Sequence, residues 1–171
     1  VKITLKPVGD VSDGIMKRLK DRVGSIFHCA VETEAGVCDL ARAHDPERKQ
    51  YYSSTLLASL GRVGSEERVV GIADVDLYVS RLNFVFGEAD IGSGTAIVSL
   101  CRLRQDYYGL DPDEALLLER ATKEIVHELG HTFGLEHCPN HKCVMHFSNS
   151  LADTDVKEVC FCAKCRPKII F

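Results

Sequence analysis

The chain has 171 residues, 45% of them hydrophobic and 27% charged, with a formal net charge of −4 at pH 7. That length suffices for one well-packed domain and not for two large ones. The mildly acidic balance lacks a basic tract and an aromatic-basic pattern, which disfavours nucleic acid as a partner, and no apolar run reaches the roughly 20 residues of a membrane span.

Residues 1–7 alternate as a strand does and do not resemble a secretory signal. Because the chain starts directly in this strand, latency through an N-terminal cysteine plug is not expected. Ile15, Leu19, Val23 and Ile26 then trace a helical face, and residues 29–34 read as a second strand. Asp45-Pro46-Glu47 has the signature of a helix start, with closure at Gly61. Residues 68–76 form a largely buried strand and residues 83–86 a short one. The glycine-rich stretch 91–94 begins or bulges a further strand over residues 95–100. Asp111 suits an N-cap, Pro112 the first helical position, and Asp113 and Glu114 the positive end of the helix dipole. From there Leu116, Leu117, Ala121, Ile125, Leu129 and Phe133 supply an apolar stripe. Strands alternating with helices predict an α/β fold: a mixed, mostly parallel twisted sheet with packed helices.

The chemistry concentrates on residues 127–137, His-Glu-Leu-Gly-His-Thr-Phe-Gly-Leu-Glu-His. His127 and His131 are four apart, so on a helix they share one face and can bind one ion. If the helix continued, His137 would lie roughly 9 Å further along the axis and out of reach. The helix must therefore break, and Gly134 sits where a left-handed residue can end it. Three neutral histidines leave a fourth zinc position for water, whose pKa zinc lowers to about 7. Glu128, beside the metal without ligating it, is placed to be the general base. The bland reading of a bare His-Glu-x-x-His pattern, a core helix with satisfied histidines, does not account for the glycine and third histidine at these offsets.

Sulfur supplies a second constellation. Cys138, Cys143, Cys162 and Cys165 have spacings that suit a closed four-thiolate zinc, with disulfides or buried thiols as the plainer reading. Cys160 rivals Cys162, while Cys29, Cys38 and Cys101 read as core thiols. His137 and Cys138 are adjacent and would point to opposite sides in extended chain, so one short segment can serve both ions. Thiolate ligands suit a reducing, cytoplasmic location.

The run from His127 to Cys138, followed by Cys143-Val-Met145 and Cys162-Ala-Lys-Cys165, resembles the archaemetzincin family of metzincin zinc peptidases. The resemblance implies His127, His131 and His137 as ligands of a catalytic zinc, Glu128 as base, and Gly134 as the turn. It also implies Met145 as the methionine of a Met-turn and a second, structural zinc on the four cysteines. It further implies a metzincin-like domain with an upper part, residues 1–134, and a lower part, residues 135–171, and a peptide or protein substrate; the chain is expected to be a monomer. In that fold an antiparallel edge strand binds substrate by strand addition, a role that falls on Phe84, Val85, Phe86, Gly87, Glu88 and Ala89. Glu88 and Asp90 either discourage edge pairing or anchor a peptide's free amine. Phe147, Ser148 and Asn149 either line the pocket for the residue after the scissile bond or, for Phe147, fill the core. Two readings from other classes stand beside the peptidase: a catalytically silent peptide-binding module, and a thiol redox protein using Cys162 and Cys165.

Overall fold

In the computed structural model, which describes residues 1–36 and 39–169, the N-terminal alternation becomes β1 (Lys2–Val8) and the first periodic segment α1 (Asp13–Phe27). The second strand is shorter than its sequence suggests, β2 (Val31–Thr33). The segment opened by Asp45-Pro46 departs from the expected helix. It is a tight turn between β3 (His44–Asp45) and β4 (Gln50–Tyr52), and helix α2 covers only Ser53–Ser59. Asp45 Oδ1 does accept backbone N–H groups, from Glu47 at 3.0 Å and Arg48 at 3.1 Å, but β4 then returns antiparallel to β3. Asp-Pro signals serve turns and helix starts alike, and the cross-strand pairing decided the matter. Gly61, at φ +79°, follows α2 as the expected stop.

The buried strand β5 (Glu67–Ala73) ends before Asp74 and Asp76, whose carboxylates leave the sheet to pair with Arg104 and Arg102. Next come β6 (Leu77–Val79), β7 (Leu82–Val85), β8 (Gly87–Asp90) and β9 (Thr95–Ser99). The span 84–89, expected as one edge strand, is therefore two strands in two different sheets. One sheet runs β2-β1-β5-β9-β8 and is parallel apart from the antiparallel β8 at its edge. A second, four-stranded sheet runs β3-β4-β6-β7. It was not anticipated, because strands of two to four residues are too short to display a period.

Alternation along the central strands builds two cores. Val70, Ile72, Ala96 and Val98 join Ile3, Leu5, Leu19 and Val23 on one face; Val69, Ala73 and Ile97 meet Leu56, Leu57 and Leu60 of α2 on the other. The first face also receives the long helix α3 (Glu114–Thr132), through Leu117, Ala121, Ile125 and Leu129. Every residue from 121 to 130 is buried, polar ones included, so α3 is enclosed on all sides rather than amphipathic. Helix α4 (Leu151–Val156) and the cysteine-bearing segments cover its outer face. No helix among the described residues is long and apolar enough to cross a membrane.

The start of α3 also differs from expectation. Asp113, not Asp111, is the N-cap, with extended backbone at φ −129° and a side chain accepting from Leu116 N at 2.9 Å. Asp113→Ala should therefore cost about 1 kcal/mol of stability, within the range for lost caps, whereas Asp111→Ala should change stability by less than about 0.5 kcal/mol. Urea denaturation of the two variants checks this, and equal losses would contradict the assignment.

Candidate active site

Helix α3 carries His127, Glu128 and His131, and its ending brings in the third histidine. Gly134 adopts φ +86°. Its N–H donates to His131 O at 2.9 Å, and Leu135 N donates to Gly130 O at 3.0 Å, the paired bonds of a Schellman stop. The same turn supplies the Leu135 carbonyl to His131 Nδ1 at 2.7 Å, while Val144 O receives His127 Nδ1 at 2.8 Å. A carbonyl only accepts, so both Nδ1 atoms carry the proton and both Nε2 atoms are left as ligands. Those Nε2 atoms lie 3.1 Å apart, and the ring of His137 stands 5.3 Å from that of His127 and 4.8 Å from that of His131. One ring nitrogen from each of the three residues falls within 4.8 Å of the others. Burial pulls all three imidazoles below their usual pKa, most strongly His127, which favours the neutral, metal-binding form. This donor set fits zinc with an open position.

Glu128 is buried beside this cluster and lies against Gly87, where a Cβ would come within 2.7 Å of its carboxylate. Burial, reinforced by Glu124 one turn earlier, pushes the Glu128 carboxyl well above its ordinary range. Glu124 is itself matched by a buried cation: Lys157 Nζ lies 3.0 Å away, and Thr154 Oγ1 donates to the same carboxylate at 2.8 Å. Lys157 is the largest fully buried side chain in the described structure. Sequence reasoning missed this pair; the four-residue step from Glu124 to Glu128 was a legible signal, but nothing local marks Lys157 as internal.

The four cysteines 138, 143, 162 and 165 converge with sulfurs within 4.8 Å of one another. Cys138 and Cys162 Sγ are 3.8 Å apart, far beyond the roughly 2.05 Å of a disulfide. Backbone N–H groups of Cys165 and Lys164 bring the Cys162 thiol down to about 6, while burial pushes Cys143 and Cys165 up. The set fits a closed zinc. Cys160 is exposed and stands outside the cluster, its carbonyl accepting from Val144 N at 3.0 Å. Cys29 and Cys101 are half-buried rather than core residues, and Cys38 lies outside the described residues. His137 and Cys138 do serve separate clusters. Met145 is fully buried against Gly130, where any side chain would collide with its sulfur.

A cavity of about 220 Å³ opens between residues 82–87, His127 and Glu128, and Phe147, Ser148 and Asn149. Phe84 and Phe86 form one wall, their rings 5.1 Å apart. The Arg102 guanidinium covers Phe84 at 4.4 Å and is held by both oxygens of Asp76, at 2.6 and 2.8 Å. Gln50 Nε2 joins Asp76 to the Asn83 carbonyl, so long-range bonds that no motif announces fix this wall. Phe147 is partly exposed and leans on the His137 ring at 4.8 Å. Glu88 turns to the opposite face of β8, accepting from Ser54 Oγ at 2.8 Å, and Asp90 Oδ1 accepts from Gly92 N at 2.9 Å.

Three neutral imidazoles with a buried carboxylate on a cleft floor define a metallopeptidase-type site. Residues 31–170 match the model of peptidase family M54. The archaemetzincin of Methanocaldococcus jannaschii is 43% identical over 176 residues, covering 99% of this chain and 93% of that protein. Crystal structures of an archaemetzincin from Archaeoglobus fulgidus, complexed with malonate, and of a zinc-dependent peptidase from Methanocorpusculum labreanum superpose with TM-scores of 0.86 and 0.88. Their identities are 36% and 30%, over 99% and 97% of this chain and 100% and 98% of theirs. The chain belongs to peptidase family M54, the archaemetzincins, and is a zinc metallopeptidase.

The Glu124–Lys157 pair yields a stability prediction. Lys157→Met strands a buried carboxylate and should cost about 3–5 kcal/mol, whereas Lys157→Met with Glu124→Leu should recover at least about 1 kcal/mol of that loss, since an apolar pair carries no desolvation penalty. A denaturant double-mutant cycle with additive losses would contradict the coupling.

Proposed function

We propose that this chain hydrolyses peptide bonds of extended substrates with Glu128 as general base, using two zinc ions, one catalytic on the histidines and one structural on the cysteines. The observation that carries the reading is the burial of Glu128 beside the converging imidazoles, at the floor of the cleft. Zinc, when bound, supplies Lewis acidity and a water of lowered pKa. The chain's own groups do the rest. His127 and His131 hold their Nε2 atoms in place through backbone carbonyls, and Phe147 backs His137. Glu128 takes a proton on a carboxylate oxygen and returns it to the departing amine. Its raised pKa makes it a stronger base, and it works only above that pKa, so hydrolysis should fall as pH drops through it. A silent binder would have no use for a buried carboxylate here.

Substrate is read as lying antiparallel along β8, which pairs within the described residues only with β9, so its outer edge is free for a peptide main chain. Gly87, Glu88 and Ala89 provide that edge, while Phe84, Val85 and Phe86 wall the pocket for the residue after the scissile bond, with Phe147, Ser148 and Asn149 opposite. In this reading residues 1–134 form the upper part of the domain and residues 135–171 the lower. Six of the seven described cysteines are not fully exposed, and keeping them as thiols suits a reducing compartment, which supports a cytoplasmic location.

Two experiments test the reading. Glu128→Gln should keep its zinc and fold yet lose about 10²–10⁴-fold in peptide hydrolysis. Unchanged turnover by purified, zinc-loaded variant would remove Glu128 as the base. Cys165→Ser should lose one zinc and melt at lower temperature, with activity falling as His137 is displaced, whereas Cys101→Ser should keep both ions. Zinc content and melting temperature that match in the two variants would overturn the four-cysteine assignment.

A further inference from the structure

Beyond the two clusters, one more pair of imidazoles meets at the surface. Cys143 N–H donates to Asn140 O and His146 N–H to Cys143 O, each at 2.9 Å, and these turns fold the chain so that His141 faces His146. The rings are 4.4 Å apart at 62°, with His141 Nδ1 3.1 Å from His146 Nε2. The Cys138 carbonyl bonds His146 Nδ1 at 3.0 Å. Since a carbonyl cannot donate, His146 carries its proton on Nδ1 and presents the Nε2 lone pair to His141.

His146 is held as both rings of the catalytic pair are, with Nδ1 on a backbone carbonyl, and the nitrogen-to-nitrogen distance of 3.1 Å is the one between His127 and His131 Nε2; His141 differs in meeting its neighbour through Nδ1. Two nitrogens bound to one tetrahedral ion at 2.0–2.1 Å are about 3.3 Å apart, so both pairs have the spacing a single ion requires to within a few tenths of an ångström. The carbonyl fixes the ring and raises its basicity, as second partners of metal-binding histidines do. His141 is exposed, so solvent can move the proton that leaves its Nδ1 to its Nε2. The neighbouring Lys142 ammonium is directed away, to the Val156 carbonyl at 3.4 Å.

We propose that His141 Nδ1 and His146 Nε2 form a third, solvent-open site for a borderline divalent cation such as zinc, with water completing the shell. An ion there clips together the segment that carries Cys138, Cys143 and, one residue beyond His146, the Phe147 ring that rests on His137. The plainer alternative is a hydrogen bond between two neutral imidazoles with no affinity for metal.

The test uses the zinc-loaded protein, dialysed against zinc chloride buffered at micromolar free zinc, for wild type and for His141→Ala. The variant removes an exposed ring whose side-chain bond is to His146 alone among the described residues. Wild type should hold about one zinc more per chain than the variant, and its melting temperature should rise with added zinc while that of the variant does not. Nitrogen-15 spectra of the wild-type imidazoles supply a readout independent of the substitution: the ring signals of His141 and His146 should shift as the last ion binds. Equal zinc content in the two proteins, or a last ion that binds without moving those two rings, would overturn the proposal and leave the hydrogen-bond reading. Because the comparison is a difference, it holds whatever number of ions the first two clusters retain.

Discussion

A straight helix can deliver two imidazoles to one point but never a third six residues on, and this restriction organises the molecule. The chain meets it by stopping α3 at Gly134, in the left-handed region, and folding back at once. The stop does more than end a helix. Its returning carbonyl, Leu135 O, fixes the tautomer and direction of His131, so the device that frees His137 also orients an imidazole that precedes it. His127 depends in the same way on the Val144 carbonyl, which belongs to the cysteine-bearing loop. That loop is in turn held by Cys138 N–H to Met145 O at 2.9 Å and Val144 N–H to Cys160 O at 3.0 Å. Disorder in the sulfur cluster would therefore reach the histidines through these backbone bonds.

The second constraint is burial of charge. Helix α3 is covered by the sheet on one side and the C-terminal segments on the other, so Arg120, Lys123, Glu124 and Glu128 all lie inside. Each of the first three is paired: Arg120 with Asp155, Lys123 with Glu119, and Glu124 with Lys157. Glu128 alone among them has no ion-pair partner in the described structure, and it is the one assigned chemistry. Three of the buried charges on this helix are thus matched by partners, and one carboxylate, at the floor of the cleft, is not.

The cleft wall shows a related division of labour. Antiparallel β8 is the edge of the larger sheet, but the aromatic wall comes from Phe84 of β7 in the smaller one and from Phe86, where the chain crosses between them. Arg102, Asp76 and Gln50 lock β7 from behind, on residues separated by tens of positions. The wall is thus held by side chains, Arg102, Asp76 and Gln50, that are not among those lining the cavity.

What the sequence determined by itself was the chemistry whose parts are close together in the chain. His127, Glu128, His131, Gly134 and His137 fall within one turn-and-a-half of helix and its stop, so helical geometry alone predicts their convergence. The cysteine pairs announced themselves by spacing, and the sheet by the alternation of β1, the apolar run of β5 and the helical periods between the strands. Tertiary structure alone decided the rest, because the deciding energies act between distant residues. Asp45 could cap a helix or a turn, and only pairing of β3 with β4 chose the turn. Asp111, followed by Pro112, was the better cap on paper, and only the structure puts the first turn of α3 after Asp113. Lys157 reads as a surface lysine, and it is internal because Glu124, 33 positions earlier, offers a buried carboxylate for its charge. The small sheet and the split of residues 84–89 were invisible for the same reason: strands this short carry no period, and their identity lies in the partners that hydrogen-bond to them.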